Sequence, residues 1–236
     1  MAIRRGRRIV VVTGGTGAIG SAVAEAFVDG GDRVVISTTE ASHATGLSRR
    51  LRARIDVIAA NLSDEAGVRG LYQTVEKMHG RVDVVVNTVG GYVPAAFLEK
   101  VRVEDWEKMI RLNLTTTFLS TREAIRHMRP RRKGWIVNFS AKSALHPLPG
   151  RIPYAISKAG VALLTQLAAE EVRGSGIVIT AVAPGAVNTP ANRTWGSPAE
   201  VRRWVTPEEI AATVVFLSSS EAAPLTGSVL EPGDRP

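Results

Sequence analysis

The sequence predicts a single α/β domain spanning residues 1–236, in which a doubly wound parallel sheet of about seven strands carries helices on both faces. Short, continuously apolar runs alternate with helical patterns along the chain, and such runs indicate strands that are buried on both faces. No linker, repeat or low-complexity stretch interrupts the 236 residues, a usual length for one α/β domain. We therefore expect right-handed βαβ units that bind ligands at the carboxyl ends of their strands.

The predicted strands are short runs rich in β-branched residues between turn signals. In chain order they are Arg8–Thr13, Arg33–Ser37, Ile55–Ala59, Val82–Asn87, Trp135–Ser140, Val178–Ala183 and Ser228–Glu231. The predicted helices repeat apolar residues every three or four positions, as an amphipathic helix requires. They are Ile19–Asp29, Glu65–Met78, Glu104–Met128, Pro153–Arg173 and Pro207–Leu217.

The composition is that of an ordinary globular protein and excludes several functional classes. Hydrophobic residues make up 44% and charged residues 22% of the chain, which excludes intrinsic disorder. There is no cysteine, so disulfides, thiol catalysis and cysteine-ligated metals are excluded as well. No apolar run has the length of a membrane span or of a signal peptide, and we expect a cytoplasmic protein.

The net charge of +8 raises the question of nucleic-acid binding. The 30 basic residues are scattered apart from clusters at Arg4–Arg8 and Arg129–Lys133, and neither cluster is interleaved with aromatic residues. The sequence therefore argues against a nucleic-acid partner, and binding through the arginine surface stays the weakest of the alternatives. His43, His79 and His127 match no metal-ligand spacing, so we predict no metal site.

The segment TGGTGAIG at residues 13–20 joins the first strand to the first helix. Gly15, Gly17 and Gly20 match G-x-G-x-x-G, in which glycines permit a tight turn and bring backbone N–H groups to a pyrophosphate at the helix end. The turn residues expected to touch a dinucleotide are Gly14, Gly15, Thr16, Gly17, Ala18, Ile19 and Gly20. The alternative is a cluster of turn glycines without a ligand.

Tyr154 and Lys158 form the pattern Y-x-x-x-K in the predicted helix Pro153–Arg173. Residues four apart share a helix face, so the two side chains are neighbours. An ammonium beside a phenol stabilises the phenolate and lowers the tyrosine pKa, which suits a general acid or base near neutral pH. The same pattern also occurs by chance as a solvated pair, and its position after the fifth strand of a nucleotide-binding sheet makes it informative.

Over nearly its whole length the chain resembles the short-chain dehydrogenase/reductase family of Rossmann-fold oxidoreductases. Residues 13–20 also read T-G-x-x-x-A-x-G, the phosphate turn of that family, and Tyr154 and Lys158 match its catalytic pair. Asn113 matches the family's helix asparagine, and residues 184–189 resemble the segment that holds the nicotinamide carboxamide.

The resemblance implies an NAD(P)H-dependent oxidoreductase. It implies Tyr154 as the proton donor, Lys158 as the group that lowers the tyrosine pKa and binds the nicotinamide ribose, and Asn113 as the support of a proton-relay water. Beyond the glycine turn, the implied cofactor site comprises Thr38, Thr39, Asn61, Leu62, Asn87, Val89, Gly90, Tyr154, Lys158, Pro184, Gly185, Val187 and Thr189. The resemblance also implies a homodimer or homotetramer that associates through the helices at Glu104–Met128 and Pro153–Arg173.

Three positions depart from the family pattern. Ala141 stands where the family has its catalytic serine, 13 residues before the tyrosine. Ser140 is one residue early and should point to the other face of its strand, whereas Ser143 could substitute only if its loop turned inward. The family's Asn-Asn-Ala-Gly reads Asn-Thr-Val-Gly at residues 87–90, and Asn61 replaces the aspartate near the adenine.

A branch that resembles quinonoid dihydropteridine reductase also lacks the serine and keeps the tyrosine and lysine. The stretches that look like this branch are residues 89–92, 141–145, 188–193 and 204–207. A conjugated C=N or quinonoid substrate delocalises electrons during hydride addition and needs the missing donor less than a simple ketone does. We therefore expect a small carbonyl, imine or quinonoid substrate. The alternative is a catalytically weak or inactive nucleotide-binding sensor or scaffold.

The sequence gives opposing indications for the choice between NAD(H) and NADP(H). Glu40 lies 20 residues after Gly20, the usual distance of an acid that binds the NAD ribose. By resemblance the selecting position is instead Thr38, where Thr38 and Thr39 carry hydroxyls that accommodate a 2′-phosphate. No arginine lies beside Gly17, but the basic surface favours the phosphate. Taken together, these indications slightly favour NADP(H) as the cofactor.

A short loop at about residues 190–206 stands in place of a long substrate lid. The candidate substrate residues are Ala141, Ser143, Tyr92, His146 and Arg193. For Tyr92 simple packing is an equal alternative, and for His146 a surface position is the stronger one. Trp195 and Trp204 are expected to pack the loop.

Overall fold

Seven parallel strands form one sheet within residues 7–234, which are the residues that the computed structural model describes. They are β1 (Ile9–Thr13), β2 (Arg33–Thr38), β3 (Ile55–Ala59), β4 (Val84–Asn87), β5 (Gly134–Phe139), β6 (Ile177–Val182) and β7 (Val229–Leu230). Their order is β3-β2-β1-β4-β5-β6-β7, so the direction of winding reverses between β1 and β4. The predicted fold class is confirmed. Of the basic cluster predicted at Arg4–Arg8, Arg4 and Arg5 lie outside the described residues.

The helices of the described chain cover both faces of this sheet. They are α1 (Ala18–Asp29), α2 (Arg49–Arg52), α3 (Glu65–His79), α4 (Val103–Met109), α5 (Thr116–Met128), α6 (Lys142–Leu145), α7 (Ile152–Glu171), α8 (Pro198–Arg203) and α9 (Pro207–Leu217). Among the helices of residues 7–234, none is both long enough and apolar enough to cross a membrane.

The helix predicted at Glu104–Met128 requires a correction, because a π-helical segment at Ile110–Thr115 divides it into α4 and α5. The apolar pattern continues through this segment, which is why the sequence did not reveal the break. The short helices α2, α6 and α8 were not predicted either. An element of one or two turns shows too little of the helical period to be recognised.

The sheet separates two apolar layers, as the alternation of side chains along a strand requires. Val10 and Val12 of β1 point into the layer formed with α1 and α9, where Phe27 and Ile210 are buried. Val11 points into the opposite layer, which is built against α3, α5 and α7. Because helices cover both faces, the loops converge at the carboxyl ends of the strands.

Candidate active site

A groove of about 240 Å³ lies at the carboxyl ends of β1, β2 and β4, where the order of the strands reverses. We call it the switch-point groove. The predicted cofactor residues that line it are Gly14, Thr16, Gly17, Thr38, Thr39, Asn61, Leu62, Val89 and Gly90. The lining residues that the sequence analysis did not assign to a cofactor are Ser37, His43, Ala60, Ser63, Thr88, Leu112 and Thr116.

The glycine turn between β1 and α1 forms one end of the groove. Gly14 has a φ of +67°, a left-handed conformation that favours glycine. A β-carbon on Gly20 would lie 2.4 Å from the carbonyl oxygen of Gly14, so the turn closes on α1 too tightly for any side chain. Gly17 caps α1 without a side-chain hydrogen bond, and the first turn of α1 carries no acidic residue. The positive end of the helix dipole is therefore left for an anion such as a pyrophosphate.

Polar side chains at the end of β2 form the other end of the groove. Ser37 is 1% exposed, and its Oγ has no hydrogen-bond partner within the described residues. Buried hydroxyls ordinarily have a partner, so this orphaned oxygen fits a polar ligand such as an adenosine ribose. Thr38 and Thr39 lie beside it, and the Oγ1 atom of each is 3.4 Å from Nδ1 of His43.

Lys158 is buried on α7 next to the groove. Its Nζ donates a hydrogen bond of 2.8 Å to the carbonyl oxygen of Phe139 at the end of β5. Burial lowers the pKa of Lys158 from 10.5 to about 8. Nζ and the side-chain oxygen of Asn113 each lie 3.0 Å from the point where a β-carbon on Gly90 would be. Gly90 lines the groove, so both polar groups lie beside a residue of its wall.

Tyr154 lies one turn before Lys158 on α7 and is half-buried. Burial raises the pKa of Tyr154 above its ordinary value, the Arg151 guanidinium opposes that rise, and Tyr92 adds to it. The rings of Tyr92 and Tyr154 meet edge-on with their centres 5.2 Å apart, and Arg151 lies 5.7 Å from the centre of the Tyr92 ring. The pKa of Tyr154 is therefore raised, whereas the Y-x-x-x-K pattern predicts a lowered pKa. Burial has the largest effect on this pKa. The Lys158 ammonium is held by the carbonyl oxygen of Phe139.

Asn113 lies in the π-helical segment Ile110–Thr115, and its side chain is buried. Its Nδ2 donates to the carbonyl oxygen of Gly91 at 3.1 Å and to Ser157 Oγ at 3.0 Å, while its Oδ1 accepts from the Gly91 N–H at 2.8 Å. π turns are rare and often accompany functional sites. Asn113 therefore ties the loop after β4 to the helix that carries Tyr154 and Lys158.

Ala141, in the position of the missing serine, is buried immediately before α6. Ser140 is also buried, and its Oγ donates to the carbonyl oxygen of Lys158 at 2.8 Å. The Ser140 hydroxyl is therefore bound to the backbone of α7. Ser143 is half-buried in α6, two residues closer to Tyr154 along the chain than Ala141.

Two of the predicted cofactor residues have side chains that are engaged in supporting the fold. Oδ1 of Asn87 accepts from Ser120 Oγ at 2.6 Å, and its Nδ2 donates to Asn138 Oδ1 at 2.9 Å. Asn87 is 2% exposed, so its side chain joins β4 to α5 and β5 below the groove instead of lining it. Asn61 lines the groove, but its Nδ2 donates to Asp64 Oδ2 at 2.7 Å at the start of α3.

The loop at residues 190–206 contains α8 and borders a second cavity of about 300 Å³, between this loop, α1 and α9. Arg193 lines that cavity and donates through Nε to Asn188 Oδ1 at 2.6 Å. Ala18, which the sequence assigned to the cofactor, lines the second cavity rather than the switch-point groove. Arg193 and Ala18 therefore lie on the side of the glycine turn that faces the substrate loop.

The remaining predicted residues lie around these two cavities. Nε2 of His146 lies 2.7 Å from Oε2 of Glu231 at an exposed position. Trp195 packs on Trp204 with the ring centres 4.6 Å apart. The predicted residues on the loop after β6 are Pro184, Gly185, Val187 and Thr189. Ile19 packs against the apolar layer beneath α1.

The order of the strands reverses at the switch-point groove, and a glycine turn leads into α1 there, as in α/β domains that bind dinucleotides. Comparison with known proteins gives the family. A family model described as short chain dehydrogenase matches residues 8–200. The chain therefore belongs to the short chain dehydrogenase family, and it is an NAD(P)-dependent oxidoreductase.

Several relatives match almost the whole chain. The 3-oxoacyl-(acyl-carrier-protein) reductase FabG of Thermotoga maritima is 32% identical over 234 residues, which cover 94% of this chain and 95% of that protein. The cis-4-hydroxycyclohexanecarboxylate dehydrogenase of Sinomonas cyclohexanicum is 35% identical over 236 residues and 94% of each chain. The solved structure of ElxO with NADP bound has a TM-score of 0.90 and 28% identity, and the match covers 97% of this chain and 98% of that one.

Replacing Gly90 by alanine is expected to push Lys158 and Asn113 aside by a few tenths of an ångström. Since misplacement by a full ångström can cost about 100-fold, kcat should fall by a smaller factor, about 10-fold. The added methyl carbon would lie 3.0 Å from Lys158 Nζ and from Asn113 Oδ1. Steady-state kinetics at saturating cofactor measure the effect. Gly70→Ala on α3 is the matched control because no atom lies within 4 Å of its added carbon. An unchanged kcat in Gly90→Ala contradicts this arrangement of the site.

Proposed function

We propose that the protein transfers a hydride from NADPH to a small carbonyl, imine or quinonoid substrate, with Tyr154 as the proton donor. One observation carries the proposal: Tyr154 and Lys158 lie one turn apart on α7, and Lys158 adjoins Gly90 of the switch-point groove. The proton donor and the cofactor groove are therefore neighbours in the fold, as hydride transfer coupled to protonation requires.

The residues of the groove suit each part of a nicotinamide dinucleotide. The backbone of Gly14 and Gly17 and the positive end of α1 suit the pyrophosphate. Ser37 and Thr38 suit the adenosine ribose, and Lys158 suits the nicotinamide ribose. When bound, the nicotinamide supplies the hydride.

Tyr154 protonates the substrate atom that gains negative charge. A proton donor must carry its proton at the working pH, and the raised pKa of Tyr154 keeps the phenol protonated at neutral pH. Lys158 holds a positive charge one turn away, and that charge favours the phenolate once the proton has left. Asn113 keeps the loop after β4 in place against the same helix.

The pH dependence of reduction provides a test of the Tyr154 assignment. Activity should fall as pH rises through the Tyr154 pKa, because the phenolate has no proton to donate. Arg151 lowers that pKa, so Arg151→Met should move the fall to higher pH. The measurement is kcat against pH for both proteins. Arg69→Met, which removes an exposed arginine of α3, is the control, and an unmoved profile in Arg151→Met contradicts the assignment.

The preference for NADP(H) over NAD(H) is part of the proposal. Neither Thr38 nor Thr39 carries a negative charge that would repel a 2′-phosphate. ElxO, a structural relative, has been solved with NADP bound, and a tyrosine-to-phenylalanine variant of it with NADPH bound. The net charge of +8 also favours the more anionic cofactor.

The absence of a hydroxyl at Ala141 favours a substrate whose reacting group is electronically activated. Loss of one charge-assisted hydrogen bond to the reacting oxygen costs about 1.5–3 kcal/mol, or about 10- to 150-fold in rate. A quinonoid or conjugated C=N group tolerates that loss better than a simple ketone. Membership of the dihydropteridine reductase-like branch, which also lacks the serine, is part of the same proposal.

Ala141 also favours a second candidate function, a nucleotide-binding sensor or scaffold with weak or no turnover. Ser140 is engaged with the backbone of α7, so it does not supply the missing hydroxyl. This candidate predicts tight binding of the cofactor without its oxidation by any substrate class.

We also propose a cytoplasmic homodimer or homotetramer. Four large apolar side chains on α5 and α7 are exposed in the single chain: Phe118, Ile156, Leu163 and Leu167. An exposed apolar surface of this kind supports association through these helices. Light scattering of the purified protein measures the number of chains.

The test of the proposed function is NADPH oxidation, followed by absorbance, over a panel of quinonoid dihydropterins, quinones, conjugated imines and simple ketones. Turnover on at least one activated class, faster than on simple ketones, is the expected result. Saturable NADPH binding without oxidation across the panel would contradict the proposal and support the sensor.

A further inference from the structure

Arg151 lies beside the candidate proton donor and carries a positive charge that no carboxylate within residues 7–234 pairs with. Its guanidinium carbon is 5.7 Å from the centre of the Tyr92 ring, which meets the Tyr154 ring edge-on. The charge acts at the hydroxyl of Tyr154, because it opposes the rise in the pKa of that group. Within the described residues the guanidinium donates no hydrogen bond and forms no ion pair.

Contact with the Tyr92 ring leaves the hydrogen-bonding groups of Arg151 available. A guanidinium contacts an aromatic ring through its flat face, and its five N–H donors point outward around its edge. Arg151 is half-buried, so its donors are hydrated in the free protein and accessible to a ligand. This planar set of donors matches the two oxygen atoms of a carboxylate.

The backbone fixes the position of Arg151 at the rim of the site. Gly150 has a φ of +75°, and its carbonyl oxygen accepts a hydrogen bond of 2.9 Å from the N–H of Ala96. This bond joins the segment before α7 to the loop after β4, which carries Tyr92. The carbonyl oxygen of Arg151 accepts a bond of 2.8 Å from the N–H of Ala155, so Arg151 belongs to the first turn of α7.

The two segments that border the tyrosine pair contain no acidic residue. They are residues 88–98, which follow β4, and residues 140–151, which lead into α7. A negatively charged substrate therefore meets no carboxylate in these segments that would repel it. The same segments leave Arg151 without an acidic neighbour of their own.

The other basic side chains of this region are directed to different partners. Nζ of Lys158 bonds the main chain of β5, and Arg193 bonds an asparagine at the second cavity. His146 lies against a glutamate that follows β7, and Nζ of Lys142 approaches the backbone of the same C-terminal segment. Arg151 is therefore the basic group whose charge is directed at the proton donor.

We propose that the substrate carries a carboxylate, and that Arg151 binds this carboxylate while the reacting carbonyl or imine group lies at Tyr154. The inference rests on the proposed function, because it assumes that Tyr154 donates a proton to a reducible substrate. Arg151 then determines specificity. A charge-assisted hydrogen bond at a half-buried position should favour an acid over its neutral ester by about 10-fold, the lower end of the range for such bonds.

The experiment compares 4-formylbenzoate with methyl 4-formylbenzoate as substrates near neutral pH. Each aldehyde accepts a hydride at its carbonyl carbon and a proton at its oxygen and becomes an alcohol, while NADPH becomes NADP⁺. The ratio of kcat/KM for the acid to kcat/KM for the ester should fall by about 10-fold in Arg151→Met. Division by the ester value removes any effect of the substitution on proton transfer itself.

Two further variants accompany Arg151→Met. Arg151→Lys keeps the charge but lacks the planar fork, so its ratio should lie between those of wild type and Arg151→Met. Arg69→Met, which removes an exposed arginine of α3, is the control and should keep the wild-type ratio.

A second measurement does not depend on turnover. Calorimetry on the NADP⁺-saturated protein gives the Kd of 4-(hydroxymethyl)benzoate and of its methyl ester, which are the two reduction products. The acid should bind more tightly to wild type, and the difference should shrink as salt is added, because salt screens the ion pair. Arg151→Met should lose the difference.

The outcomes separate this inference from the proposed function. An unchanged acid-to-ester ratio in Arg151→Met, or no tighter binding of the acid, overturns the role of Arg151. Failure of the acid both to react and to bind at millimolar concentration overturns it as well. In these cases NADPH oxidation by other members of the substrate panel leaves the oxidoreductase intact. Absence of NADPH oxidation across the panel and with both aldehydes overturns both proposals.

Discussion

Tyr154→Phe is expected to lower kcat by about 10²- to 10⁴-fold, the usual contribution of a positioned general acid. The substitution removes only the phenolic hydroxyl, and the phenyl ring keeps its edge contact with Tyr92. NADPH binding should be unchanged because the Tyr154 side chain does not line the switch-point groove. Steady-state kinetics on the best substrate of the panel, together with a cofactor titration, measure both effects.

Tyr92→Phe is the matched comparison for Tyr154→Phe. It removes the hydroxyl of the neighbouring ring and preserves the packing of the pair, so it should cost much less turnover than the change at Tyr154. Full turnover in Tyr154→Phe would show that the proton comes from another group. Equal losses in the two variants would show that the packing of the rings, rather than the Tyr154 hydroxyl, controls the rate.

Lys158→Met is expected to abolish turnover and to stabilise the cofactor-free protein. Lys158 is 5% exposed, and burial lowers its pKa from 10.5 to about 8. A shift of that size corresponds to about 3 kcal/mol of folding free energy spent on a buried ammonium at neutral pH. Methionine removes the charge but leaves the Phe139 carbonyl without its donor, which costs about 1 kcal/mol. The net gain of about 2 kcal/mol should raise Tm by about 4–8 °C.

The stabilisation should depend on pH in a defined direction. The pKa of Lys158 is lower in the folded protein, so between pH 8 and pH 10.5 the unfolded chain binds more protons and wild-type stability rises with pH. The advantage of Lys158→Met is therefore largest below about pH 8 and shrinks towards pH 10.5. Thermal unfolding across this range is the measurement, with Lys77→Met on the exposed face of α3 as the control. A Lys158→Met protein that is less stable than wild type at neutral pH would contradict the assignment.

The fold was predictable because each main strand and helix has a recognisable pattern within its own stretch of the sequence. Buried parallel strands read as continuous apolar runs, and the main helices read as apolar residues every three or four positions. The glycine turn was predictable for a similar reason, since Gly14 needs a left-handed backbone and Gly20 leaves no space for a β-carbon. Sequence spacing likewise placed Tyr154 and Lys158 on one helix.

The features that the sequence did not predict depend on packing between residues that are far apart in the sequence. Nothing in the apolar pattern distinguishes the π-helical segment around Asn113 from the helices on either side of it. His43 reaches the groove only because a 3₁₀ segment follows β2, and an isolated histidine carries no motif. The direction of the Tyr154 pKa also depends on burial and on where the Lys158 ammonium is held, and neither follows from the four-residue spacing.

Calorimetric titration of the purified protein with NADPH, beside its Gly20→Ala variant, tests whether the glycine turn binds a nicotinamide dinucleotide. A β-carbon at Gly20 would lie 2.4 Å from the Gly14 carbonyl oxygen, so the variant should distort the turn that presents α1 to the pyrophosphate. We expect saturable binding of one NADPH per chain in wild type and its loss in Gly20→Ala, with the circular dichroism of the two proteins alike. Absence of binding to the wild-type protein at millimolar NADPH, or equal binding by both proteins, would contradict this expectation.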